Sequence, residues 1–263
     1  MSESDLSFNI DIVGSGPPLV LIHGWGMHSG FFQSIIEKLK DKHTFYCVDL
    51  PGHGNSYDSL DLADLDTVVH YLVSALQGLT KDKLAVLGWS MGGLISQRIA
   101  MLYADLISKL ILVSTTACFE NKADWFYGIE PEVLTMFSAE LEKDYSATLD
   151  RFLALQFMGS DQQKQNLRAA RDLLSTKPEP TISTLRRGLQ LLVNIDLRST
   201  LDEIKCPCLI LGGERDKLVP TKALRFMAET LPVARCYIIK GSSHAPFLTH
   251  SEIFNSRLDH FLL

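Results

Sequence analysis

Apolar residues fall into two alternating patterns along the chain. Short unbroken apolar runs occur at residues 17–22, 44–48, 84–87, 110–113, 208–212 and 236–239. Bounded by polar and turn-forming residues, such runs read as strands buried on both faces, as parallel strands are. Between them lie stretches whose apolar residues recur at a helical period. Residues 31–40 carry Phe32, Ile35, Ile36 and Leu39 on one face, and residues 62–79, 94–100, 221–230 and 251–262 behave alike. Up to residue 119 the order is strand, helix, strand, helix, strand, helix, strand. That order predicts an α/β fold with a mostly parallel, doubly wound sheet.

The alternation then stops. Residues 121–188 hold no strand pattern, but helical spacing recurs at 131–143 (Val133, Leu134, Met136, Phe137, Leu141), 146–158 (Leu149, Phe152, Leu153, Gln156) and 161–174. Thr176-Lys177-Pro178-Glu179-Pro180 reads as a short stiff break between helices. The sheet pattern resumes at 208. Residues 1–120 and 189–263 are therefore expected to form the core, and 121–188 a helical lid inserted over it. In such sheets ligands bind at the carboxyl ends of the strands.

Three loops at those ends carry the candidate chemistry. The run at 84–87 leads into Gly88-Trp89-Ser90-Met91-Gly92, and a helix follows. Strand, sharp turn and helix is the setting of a nucleophile elbow, with small residues flanking a serine strained at the apex. A serine hydroxyl needs a base, and the base needs an orienting group. In this arrangement the partners follow in the order Ser, Asp, His. Asp216 lies in Gly212-Gly213-Glu214-Arg215-Asp216, just past a strand, and His244 lies in Gly241-Ser242-Ser243-His244, past the last one. Ser90, Asp216 and His244 are thus the candidate catalytic triad. Glu214 is a rival for the acid, while Asp196 precedes its strand and sits on the wrong side. The backbone N–H of Met91, after the nucleophile, and that of Trp25, in His23-Gly24-Trp25-Gly26, are candidate oxyanion donors. Trp25 also reads as a packing aromatic, His23 as a brace for its loop, and His53 as a turn residue in Asp49-Leu50-Pro51-Gly52-His53-Gly54-Asn55-Ser56.

Composition narrows the classes. The balance of 46% hydrophobic and 21% charged residues is that of an ordinary globular chain, and 263 residues suffice for one core with an insertion. A net charge of −6 argues against a general nucleic-acid surface. The polar, acidic start Met1-Ser2-Glu3-Ser4-Asp5 has no secretory-signal pattern, and no apolar run has the length of a membrane span. A cytoplasmic protein without a membrane partner is the expectation. Five cysteines cannot all pair; Cys47, Cys208 and Cys236 read as reduced core residues, and Cys206-Pro207-Cys208 is too tight for a zinc site. No metal or cofactor is expected. Charge is also uneven within the lid. Residues 121–150 hold two basic and seven acidic side chains, whereas 151–190 hold seven basic and three acidic. Lys164, Arg168 and Arg171 are spaced to share one helix face, which reads as a solvated face or as a surface for an anionic partner.

Taken together, these motifs resemble the α/β-hydrolase family over essentially the whole chain. Leu87-Gly88-Trp89-Ser90-Met91-Gly92-Gly93-Leu94, Arg151-Phe152-Leu153-Ala154-Leu155-Gln156-Phe157-Met158-Gly159 and Ser243-His244-Ala245-Pro246-Phe247 more closely resemble the biotin-synthesis esterases. Those enzymes hydrolyse the methyl ester of pimeloyl-acyl-carrier protein. The resemblance implies a serine carboxylesterase without cofactor. It implies Ser90, Asp216 and His244 as triad, Trp25 and Met91 as oxyanion donors, and Phe152, Leu153, Ala154, Leu155 and Gln156 as lid residues touching the acyl chain. It further implies that Arg151, Lys164 and Arg168 contact the acyl-carrier protein, with Arg171 added by its spacing; a fourth basic place of the family is Ala147 here. A monomer is expected. Two other readings stay open: a broad short-chain carboxylesterase with no carrier partner, and a slow-turnover ligand receptor on the same scaffold.

Overall fold

A computed structural model describes residues 8–263; the expectation for residues 1–5 lies outside them. Seven strands form one sheet: β1 (Ile10–Gly14), β2 (Pro18–Ile22), β3 (Thr44–Val48), β4 (Leu84–Trp89), β5 (Ile107–Val113), β6 (Cys208–Gly213) and β7 (Ala234–Ile239). Their order is β1-β3-β2-β4-β5-β6-β7, and among the described residues only β1 runs antiparallel. Strands β2 and β4 are buried at every position, which is why their sequences are unbroken apolar runs. Strand β1 is exposed along most of its length, so its sequence lacks that signature, and the apolar pattern did not predict it.

Helices α1 (Gln33–Leu39), α2 (Leu65–Leu79), α3 (Met91–Leu102), α8 (Thr221–Thr230) and α10 (Ser251–Leu262) cover the two faces, while α9 (Pro246–Thr249) is a single turn. Four more helices, α4 (Pro131–Lys143), α5 (Tyr145–Leu155), α6 (Gln163–Leu174) and α7 (Ile182–Asn194), form the insertion. The first three match the expected helical pieces. The fourth was not expected, and it runs unbroken through the boundary placed at residue 188. Thr181 caps it, accepting from the Thr184 N–H, and Leu185, Leu189 and Leu192 face inward.

The chain passes from β2 outward to β3 and then returns to the other side of β2 as β4. That reversal opens a crevice at the carboxyl ends of β2 and β4. The lid is tied down near it. Lys177, in the loop after α6, places its Nζ 2.9 Å from Asp49 Oδ2, Asp11 Oδ2 and Ser29 Oγ. Asp49 is fully buried and also accepts from the Ser29 and Asn55 N–H groups, so the buried charge is fully partnered. Burial alone would lower the Lys177 pKa; the Asp49 and Asp11 carboxylates raise it instead.

Candidate active site

At the end of β4 the chain turns sharply into α3. Ser90 sits at the apex with φ 56° and ψ −119°, a conformation that an L residue holds only under constraint. The constraint is visible around it: Ser90 N–H donates to Val113 O (2.9 Å), and Ser90 O accepts from Gly93 N–H (2.8 Å) and Thr115 Oγ1 (2.7 Å). A Cβ at Gly88 would overlap Ser96 Oγ and the Gly92 carbonyl, and one at Gly92 would overlap the Ile22 carbonyl. Glycine is required at both because helix, elbow and β2 are packed backbone to backbone.

Past β6, Asp216 is held by its own loop. Its Oδ1 accepts from the Leu218 and Val219 N–H groups at 2.8 and 3.0 Å. Its Oδ2 lies 2.9 Å from His244 Nδ1, with both side chains almost wholly buried. That contact assigns the Nδ1 proton and leaves Nε2 with a free lone pair. Nε2 is buried and makes no hydrogen bond among the described residues. Glu214, the rival acid, is exposed and accepts from the Gly241 N–H (3.0 Å) instead. Asp196 pairs with Arg198 outside the site.

The β2 loop approaches the elbow closely: a Cβ on Gly24 would stand 3.2 Å from Ser90 Cβ. Two buried histidines shape this loop. His23 Nε2 accepts from Leu50 N–H (2.9 Å), and His53 Nε2 accepts from Gly26 N–H (3.3 Å) while its Nδ1 bonds Pro51 O. Burial lowers the His23 pKa to about 3 and that of His53 to about 4; both are neutral acceptors. His53 therefore does more than make a turn. Among the described residues the Trp25 and Met91 N–H groups donate to no backbone carbonyl outside their own elements. Met91 opens α3, so its N–H has no intrahelical partner and the positive end of the helix points at Ser90. Both N–H groups therefore remain candidate oxyanion donors.

Helices of the insertion pack against the β2 loop. The Trp25 ring packs edge-on against Phe152 (centroids 4.7 Å apart) and Phe137 (5.4 Å), and its Nε1–H donates to Leu185 O (2.7 Å). The Trp25 side chain is thus a contact to the inserted helices. Phe152, Ala154 and Leu155 are half-buried and Leu153 is fully buried. Gln156 is buried, and both polar atoms of its carboxamide are unpartnered among the described residues.

The basic lid residues divide into two kinds. Arg151 is 3.0 Å from Glu140, and Arg171 binds Asp150 through two bonds of 2.6 and 2.8 Å. Lys164 and Arg168 are exposed, one turn apart on α6, and have no ion-pair partner among the described residues. Among the described residues no cluster of three or more His, Cys, Asp or Glu side chains could hold a metal ion, and no helix is long and apolar enough to cross a membrane. All five cysteines are free thiols: Cys47, Cys118 and Cys208 are buried, whereas Cys206 and Cys236 are half-buried.

Residues 17–251 match the model of the alpha/beta hydrolase fold, and the chain belongs to that family. Within it, the chain belongs with the pimeloyl-[acyl-carrier protein] methyl ester esterases. It is 39% identical to the protein of that name from Nitrosomonas europaea over 96% of this chain and 98% of the relative. It is 39% identical to that from Vibrio vulnificus over 93% and 94%. Among solved structures, an esterase from Exiguobacterium antarcticum superposes with a TM-score of 0.89 at 23% identity, covering 97% of this chain and 94% of that one. A bromoperoxidase from Bacillus anthracis also gives 0.89 at 23%, covering 97% and 99%. These two likenesses speak to the fold. The protein is a carboxylic ester hydrolase.

Proposed function

We propose that this protein hydrolyses the methyl ester of pimeloyl-[acyl-carrier protein], releasing methanol, with Ser90, His244 and Asp216 as its triad. His244 Nε2 takes the Ser90 proton as Oγ attacks the ester carbonyl. The tetrahedral oxyanion is held by the N–H groups of Trp25 and Met91, each such donor contributing ~10²–10³ in rate. His244 then protonates the departing methanol. Water, activated by the same imidazole, hydrolyses the acyl-enzyme, while Asp216 fixes the tautomer and stabilises the imidazolium. Bonds between nucleophile and base tighten once substrate is in place, which suits the open Nε2 seen here. The acyl chain runs along Phe152, Leu153, Ala154, Leu155 and Gln156 under the lid.

The carrier docks on the lid, chiefly through Lys164 and Arg168, whose charges are uncommitted. Arg151 and Arg171 would first have to leave their carboxylate partners. The lid insertion ends with α7 rather than within it, and the enzyme works as a cytoplasmic monomer on this soluble carrier.

The observations that support the reading are the buried Asp216–His244 pair with an unpartnered Nε2, a strained serine at a helix N-terminus, and the bond from Trp89, the residue before that serine, to the His244 carbonyl. The test is incubation with a methyl-ester-capped pimeloyl carrier thioester, following methanol and the intact thioester by mass spectrometry. Methanol release with the thioester preserved supports the proposal. Thioester cleavage, or a free methyl ester turned over as efficiently as the carrier-bound one, would reject it.

A further inference from the structure

The backbone of His244 is gripped from two directions. On one side, Trp89 Nε1–H donates to the His244 carbonyl at 3.0 Å. On the other, the His244 N–H donates to the Gln156 carbonyl at 3.0 Å, and Ser243 Oγ–H donates to the same oxygen at 2.6 Å. All four residues are buried, Ser243 completely. Gln156 follows the last residue of α5, where a helix leaves carbonyls without intrahelical donors. The histidine loop supplies the missing donors. Trp89 precedes the nucleophile, and its ring packs 4.9 Å from that of Phe247, just past the histidine. The base is therefore fastened to the elbow by Trp89 and to the lid by Ser243.

We propose that Ser243 and Trp89 are positioning residues for His244, and that through Ser243 the end of lid helix α5 sets where the base stands. This rests on the reading of His244 as the general base. The Asp216 contact fixes the imidazole at Nδ1 only. Rotation of the loop about that contact would swing Nε2 away from Ser90, and a shift of 1 Å in such a group can cost about 10² in rate. The two backbone anchors remove that freedom. The lid is then part of the catalytic apparatus: displacing α5 from the histidine loop disables the base as well as opening the pocket.

The test compares Ser243→Ala and Trp89→Phe with wild type on a p-nitrophenyl ester that needs no carrier. Rates are expressed per active site, titrated by the acyl-enzyme burst, so any misfolded fraction drops out. The expectation is a kcat lower by about tenfold, with KM within about twofold, and broadening of the downfield proton resonance of His244 Nδ1–H. Wild-type kcat per titrated site in both variants, or an unaltered resonance in both, overturns the proposal. Ser90→Ala and His244→Ala run alongside: turnover retained there sinks the triad itself, whereas loss there with wild-type rates in Ser243→Ala and Trp89→Phe sinks only the positioning role.

Discussion

The carboxyl edge of the sheet and the helical roof above it are built by opposite rules. At the edge, Ser90, Asp216 and His244 are buried; Ser90 directly follows β4, while Asp216 and His244 lie in the loops after β6 and β7. Their positions are set by backbone bonds and close packing. On the outer surface of the roof, Lys164 and Arg168 are exposed, and in the proposed docking they would act through charge alone. The first region needs sub-ångström geometry, the second only a field of the right sign. Damage to the edge should therefore strike every substrate alike, while damage to the outer roof should strike only a substrate that brings an acidic protein with it.

The largest effect belongs to the edge. His244→Ala is expected to lower kcat by about 10⁴–10⁶ on free and carrier-bound esters alike, with Tm nearly unchanged. A loss confined to the carrier-bound ester would erase the division between the two regions.

This division also explains what could be read from sequence. Strands β4 and β6 were legible because burial on both faces leaves unbroken apolar runs, and the elbow because only Gly tolerates the contacts at 88 and 92. Strand β1 was not, since an exposed edge strand has no such run. Helix α7 carried a readable signal, a Thr181 cap after Pro180 with Leu185, Leu189 and Leu192 in register, but it straddles the point where the lid was expected to end. Lys177 reaching Asp49, and Gln156 receiving Ser243, join residues 128 and 87 positions apart, and no local pattern encodes either. The carboxylate partner of Arg171 was likewise invisible, so three basic residues on one face looked equivalent.

The next effect is on stability and again belongs to the core. Histidine titrates near 6.5 when unfolded, whereas His53 and His23 titrate at about 4 and about 3 in the folded protein. Below about pH 6.5 the unfolded chain binds protons that the folded one refuses. Their contribution is therefore intact above pH 6.5 and is lost as pH falls toward 4, by about 1.4 kcal/mol per pH unit for each histidine. Urea denaturation at pH 7, 6 and 5 would measure it. His53→Gln should flatten the slope by about one proton; an unchanged slope would mean His53 is not held neutral.

Charge reversal on the roof comes third. Lys164→Glu with Arg168→Glu should lower kcat/KM on the carrier-bound ester about tenfold at low salt. The deficit should shrink as ionic strength rises. Turnover of a free short-chain ester should stay at the wild-type level, because neither residue touches the elbow. Equal losses on both substrates would place these residues in the lid's own folding rather than in docking.

The smallest effect is expected one turn further along the same helix. Arg171 resembles Arg168 in sequence, yet its guanidinium is spent on Asp150, and both partners are about half exposed. Such a surface pair contributes under about 1 kcal/mol, since solvent screens it and ordering two side chains offsets the attraction. Arg171→Ala should therefore leave kcat/KM on the carrier-bound ester within about twofold of wild type and move Tm only slightly. Asp150→Ala is the sharper probe: it frees the Arg171 charge without adding one. If docking responds to uncommitted positive charge, Asp150→Ala should raise kcat/KM at low salt while Arg171→Ala does not lower it. A fall in both variants would mean that the pair itself, rather than the free charges beside it, forms the contact with the carrier.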